Sequence, residues 1–268
     1  MGPDAMSADA VATAPNGRAA LPPTPPNFPD GVALFLDLDG TVLDLASTPG
    51  GVTIEPETVA AIGVLAQRLG GALAVVTGRS LADVDHILRP LRLPAAALHG
   101  AELRRFGGGK TGAAVEAPHP PQRLTAALGA FVDARPGLKL EDKGASVAVH
   151  YRATPEREGE VRSRIGDLVA QLAPDHELQP GKMVVEVRPR GCDKGAALKA
   201  MMQDAPFAGR APLMLGDDLT DEFAFKAAAE LGGSSALVGA VERHSAAAYA
   251  LADPAAARAW LAALAAHG

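Results

Sequence analysis

"ALFLDLDGTVLDL", residues 33–45, runs apolar side chains into two carboxylates two positions apart, then a glycine and a threonine. With Val32 included, the apolar run has the pattern of a central parallel strand covered on both faces. Ionised carboxylates at the end of such a strand each cost several kcal/mol unless they are paired or hold a metal. Asp37 and Asp39 therefore call for a partner, and Asp39-Gly40 as a simple turn does not supply one.

Outward from this strand the text keeps an alternating rhythm. "EPETVAAIGVLAQRLG" (55–70) sets Val59, Ile62, Leu65 and Leu69 on one helical face. "GALAVVTGR" (71–79) reads as a second buried strand, and Ser80 with Asp83 three residues on reads as a helix start. Strand, helix, strand, helix implies a Rossmann-like, doubly wound parallel sheet of the α/β class. The pattern returns at "PLMLGDDLTDEFAF" (212–225) and closes on the amphipathic "PAAARAWLAALAAH" (254–267).

The middle of the chain differs. "PQRLTAALGAFVDA" (121–134) is helical, with Leu124, Leu128, Phe131 and Val132 inward, and "LKLEDKGASVAVHYR" (138–152) alternates as antiparallel strands do. Thr154 and Pro155 open a second helix, and "GKMVVEVR" (181–188) alternates again. Helix, strands, helix, strands make an α+β cap, expected over 108–187 and inserted into a core of 30–107 and 188–268. Residues 1–29, rich in Ala and Pro without periodicity, are expected to form a disordered N-terminal tail.

Composition narrows the function. A net charge of −6 and the lack of a basic tract argue against nucleic acid as a partner. One cysteine, Cys192, excludes an internal disulfide framework and fits a reducing cytoplasm. No apolar segment approaches the ~20 residues that cross a bilayer, so no membrane is expected. "GGGKTG" (107–112) places Arg104 where a phosphate-binding P-loop needs its first glycine, and reads instead as a hinge into the cap. The histidines lack zinc-site spacing.

Ligands of open α/β sheets bind at the carboxyl ends of the strands, where four polar clusters fall: Asp37 and Asp39, Thr77, Lys194 of "GCDKGAAL", and Asp217 and Asp218. "TGRS" alone is also a strand exit with a helix cap, and "GDDLTDE" alone is also an acidic helix start. Together and in this order they assemble phosphoryl transfer. Asp37 is the candidate nucleophile. Asp39 is the acid that protonates the leaving alkoxide and the base that then activates water. Asp37, Asp217, Asp218 as a further oxygen donor, and the Asp39 backbone carbonyl suit Mg²⁺. Thr77, nearby backbone amides and Lys194 can carry charge on the transferring oxygens.

"DLDGT", "TGR", the lysine of "DKG" and "GDDLTDE" resemble the four motifs of the haloacid-dehalogenase-like (HAD) phosphatases. "LHGAE" (98–102), "EDKGASVAVHYR" (141–152) and "KMVVEVRPRGCDKGAAL" (182–198) narrow the resemblance to the trehalose-6-phosphate phosphatase family, over about 32–260. The resemblance implies a Mg²⁺-dependent hydrolase working through an aspartyl-phosphate. It makes Asp37 the nucleophile, Asp39 the acid and base, Thr77 and Lys194 phosphate ligands, and Asp217 a metal ligand. It extends substrate contacts over Asp37, Leu38, Asp39, Gly78 and Arg79, and over Glu141, Lys143 and Glu186 of the cap. From the residues alone, Glu141, Lys143 and Glu186 are either a grip on sugar hydroxyls or a cross-strand salt bridge. Sucrose 6-phosphate, a phosphoglycerate conjugate, or ligand sensing without turnover are the alternative readings, and a monomer is expected.

Overall fold

The computed structural model describes residues 31–45, 53–107, 110–116, 119–181, 183–239 and 244–266. The expected N-terminal tail lies outside the described residues. So do Gly108 and Gly109 of the expected hinge.

The opening run forms β1 (Val32–Leu36), buried along its whole length. It lies between β2 (Leu73–Val76) and β10 (Ala211–Gly216), parallel to both, as a run apolar on both faces requires. β3 (Ala95–Ala97) continues the parallel order beyond β2, and β11 (Ser234–Val238) and β12 (Tyr249–Leu251) continue it beyond β10. β4 (Glu102–Gly107) and β5 (Lys110–Glu116) add an antiparallel edge, giving the order β12-β11-β10-β1-β2-β3-β4-β5. The chain leaves β1 towards β2 and returns much later to β10 on the other side. That reversal opens a crevice at the strands' carboxyl ends.

Helix α1 (Pro56–Arg68) buries Val59, Ile62 and Leu65 as its periodicity predicts, and α7 (Pro254–Ala266) packs against it. Ser80 Oγ accepts the Asp83 amide at the start of α2 (Leu81–Ile87), which bears out the cap read from the sequence.

A second sheet, of order β6-β7-β9-β8, is antiparallel throughout: β6 (Lys139–Asp142), β7 (Val147–His150), β8 (His176–Gly181) and β9 (Val184–Pro189). One face packs on α3 (Gln122–Asp133) and α4 (Glu158–Leu172). Leu124, Leu128, Phe131, Val161 and Ile165 meet Val147, Val149, Tyr151, Val185 and Val187 in an apolar cluster separate from that of the larger sheet. Alternation sends Glu186 to the opposite face, where it is nonetheless buried.

Two local expectations change. The inserted unit was expected from residue 108, but Lys110–Glu116 pairs with β4 at the edge of the larger sheet. Thr154 precedes a short 3₁₀ turn, Pro155–Arg157, and makes no side-chain cap. Its methyl occupies the space a Cβ on Gly137 would need, and its hydroxyl is buried without a partner.

Candidate active site

Asp37, the residue after β1, receives its position from the sheet: its amide donates to Leu215 O of β10 at 2.9 Å. Gly40, at φ +81°, then reverses the chain, and the Leu38 carbonyl accepts the amides of Thr41, Val42 and Leu43. A side chain at Gly40 would sit 2.1 Å from Asp217 Oδ2, so only glycine lets the two loops approach. Leu38 itself is wholly buried.

Lys194 opens helix α5 (Lys194–Met201), capped by Asp193, whose side chain accepts the Ala196 amide. Its ammonium is almost fully buried, 2.9 Å from Asp37 Oδ1 and 2.8 Å from Asp221 Oδ1. Asp221 opens helix α6 (Asp221–Glu230) and is wholly buried; its other oxygen accepts the amides of Asp217 and Asp218. Thr41 Oγ1 lies 3.4 Å from both Asp37 Oδ2 and Asp217 Oδ1.

Three carboxylates thus share a pocket with one ammonium. Burial pushes Asp37 up to about 7, offset in part by Lys194 and reinforced by Asp217. Burial and the neighbouring Asp221 and Asp218 push Asp217 up to about 7. Asp221 is pushed up to about 8, chiefly by burial. Burial alone would lower Lys194, but Asp221 and Asp37 hold it above its ordinary range. Surplus negative charge on hard oxygens is what a divalent cation relieves. Ligand atoms of Asp37, Asp217 and Asp221 all lie within 4.8 Å of one another, so the donor set fits Mg²⁺.

Asp218, expected among the metal ligands, lies outside that cluster. Its Oδ1 accepts the Thr220 amide and hydroxyl at 2.8 and 2.6 Å and so shapes the turn into α6. Asp221, which the sequence reading passed over, is the third carboxylate of that cluster, with its oxygens already engaged by Lys194 and by the Asp217 and Asp218 amides. The signal was present: Asp221 falls four residues after Asp217, at a helix start that also needed a partner for Lys194.

Thr77 follows β2, and its hydroxyl accepts the Arg79 amide at 3.3 Å. Arg79 Nε and Nη2 each lie 2.6 Å from an oxygen of Asp39, a bidentate grip that raises Arg79 above its ordinary range.

Within "LHGAE", quoted above for the family resemblance, the chain makes a sharp turn. Leu98, His99 and Gly100 have φ of +47°, +56° and +102°. The first two cost about 1–2 kcal/mol each in this region. In return the Leu98 amide donates to Arg79 O and the His99 amide to Thr77 O, holding both ends of the Thr77–Arg79 loop.

Across from this loop lies the polar face of the smaller sheet. Glu186 Oε1 accepts Ser146 Oγ at 2.6 Å and Oε2 accepts Lys143 Nζ at 3.1 Å. Burial alone would raise Glu186, but Lys143 and these hydrogen bonds leave it below its ordinary value. Glu141 pairs instead with His150 at 2.8 Å, with Lys143 close enough to lower it further.

The family model described as trehalose-phosphatase matches residues 35–255. A probable trehalose-phosphate phosphatase of Sinorhizobium fredii is 45% identical over 210 residues, 78% of each chain. The trehalose-6-phosphate phosphatase of Escherichia coli is 41% identical over 208 residues, 77% of each chain. A solved structure described as a trehalose-6-phosphate phosphatase related protein superposes with a TM-score of 0.68 at 26% identity. That match covers 86% of this chain and 95% of the other.

Proposed function

Since the chain belongs to the trehalose-phosphatase family, we propose that it hydrolyses trehalose 6-phosphate to trehalose and inorganic phosphate. The observation that supports this most is the shared pocket at the ends of β1 and β10, where Asp37, Lys194, Asp217 and Asp221 meet. A polar face carrying Glu186, Lys143 and Glu141 lies opposite, suited to a leaving group rich in hydroxyls.

In this reading one oxygen of Asp37 attacks phosphorus. The new P–O bond forms as the bond to the sugar oxygen breaks, and Asp39 gives that oxygen its proton. Asp39 then takes a proton from water, which attacks the aspartyl-phosphate and releases phosphate, regenerating Asp37. Lys194 and Thr77 hold the transferring oxygens, and Arg79 keeps the Asp39 carboxylate in place. Mg²⁺ would be held by Asp37 and Asp217, beside Asp221 and the Asp39 carbonyl, and would supply positive charge to the phosphoryl oxygens. Asp221 keeps Lys194 and the 217–218 amides in register. No helix among the described residues is long and apolar enough to cross a membrane. The cytoplasm, where sugar phosphates are formed, is the compartment this reading favours.

The test is phosphate release from a panel of phosphate esters with and without Mg²⁺. Trehalose 6-phosphate should give the highest kcat/KM, and chelation should abolish turnover. Equal or faster turnover of sucrose 6-phosphate would overturn the substrate, and binding without release would overturn the reaction.

A further inference from the structure

The phosphoryl chemistry makes no use of His99, yet this side chain stands where the two sheets meet. Its ring covers Gly78 so closely that a Cβ there would lie 2.8 Å from His99 Nε2. On its other side Nε2 faces Glu186 Oε2 of β9 at 4.0 Å, and Nδ1 is buried without a partner. The gap to Glu186 is too long for a hydrogen bond. It has the right size for one oxygen: an atom about 2.8 Å from each would sit at the apex of a triangle opening at about 90°. Glu186 can accept there, because a carboxylate oxygen takes a second donor beside Lys143.

We propose that His99 and Glu186 form a hydroxyl subsite for the leaving sugar, in which one substrate hydroxyl donates to Glu186 and accepts from His99 Nε2–H. This rests on a sugar phosphate being the substrate. It makes His99 a specificity-determining residue, linking the loop of Thr77 to the face of Glu186. Burial holds the imidazole down to about 4, so at neutral pH it is uncharged and offers one directed N–H. The carboxylate opposite Nε2 favours the tautomer with its proton there.

His99→Asn tests the subsite, because asparagine tolerates a positive φ and keeps the turn while withdrawing the ring. Against trehalose 6-phosphate, kcat/KM should fall about 10- to 100-fold, most of it in KM, as expected when a binding contact is lost. Turnover of p-nitrophenyl phosphate, which has no sugar hydroxyl, should fall far less. Free trehalose should inhibit the variant more weakly by a similar factor. His99→Gln, which restores an N–H donor on a longer side chain, should recover part of the loss; if the Asn variant misfolds, Glu186→Gln assayed on the two esters tests the same subsite, and equal losses on both would overturn it. Glu186→Gln should cost less in the His99→Asn background than in the parent. Equal losses on both esters, or an undiminished kcat/KM for the sugar phosphate, would overturn the subsite. If the parent prefers another sugar phosphate, the substrate reading fails, and the same comparison made with that ester still decides for or against His99.

Discussion

Arg79 and Asp39, forty positions apart in the chain, meet through two hydrogen bonds of 2.6 Å each. The guanidinium fixes both oxygens of the carboxylate at once, which a lysine ammonium cannot do. Arg79→Lys should therefore lower kcat about 10- to 100-fold while moving KM less, because Asp39 keeps a cation nearby and loses its orientation. Steady-state kinetics on one sugar phosphate decide this; an unchanged kcat would remove Arg79 from the positioning of Asp39.

Asp37→Asn should reduce kcat by more than about 1,000-fold, since an amide is a poor nucleophile. Its melting temperature should hold or rise. The folded protein already resists charge at this position, with Asp37 pushed up to about 7, so neutralising it relieves repulsion. Activity and thermal melting on the same preparation check both halves.

Asp221→Ala should act in the opposite sense on stability. It leaves Lys194 buried with Asp37 alone and leaves two amides without their acceptor. Losing one partner of a buried pair costs about 3–5 kcal/mol, so a drop of about 10 °C in melting temperature is expected. Asp221→Asn, which keeps one acceptor, should lose less. A melting point equal to the parent's would contradict the anchoring role.

The three raised carboxyls also set a pH dependence. Their folded values, about 7 for Asp37 and Asp217 and about 8 for Asp221, lie above the ordinary 3.8. Between those limits the native state binds more protons than the unfolded chain, so stability falls as pH rises from about 4 to 8. Mg²⁺ binds the ionised form, and its stabilising effect should grow across the same window. Melting curves from pH 5 to 8, with Mg²⁺ or chelator, should diverge towards higher pH. Parallel curves would refute the coupling.

What was legible in the sequence was local. β1 could be read because an apolar run ending in acids is a contiguous signal, and the buried faces of α1 and α3 followed from a 3.6-residue period. The division of labour within "GDDLTDE" was not legible. Asp218 and Asp221 differ only in how the turn folds: one carboxylate is engaged by the Thr220 amide and hydroxyl, and the other is driven back onto Lys194. The Arg79–Asp39 pair and the His99–Glu186 approach join residues that only tertiary packing brings together. The same holds for β5, whose glycine-rich approach suggested a hinge while its backbone pairs with β4.

Each sheet is built around an apolar centre of its own. Descent with modification can consequently remodel the sugar-facing roof, residue by residue, while the phosphorus-handling floor stays untouched. A lineage could thereby acquire a new ester without ever passing through an ancestor unable to cleave one.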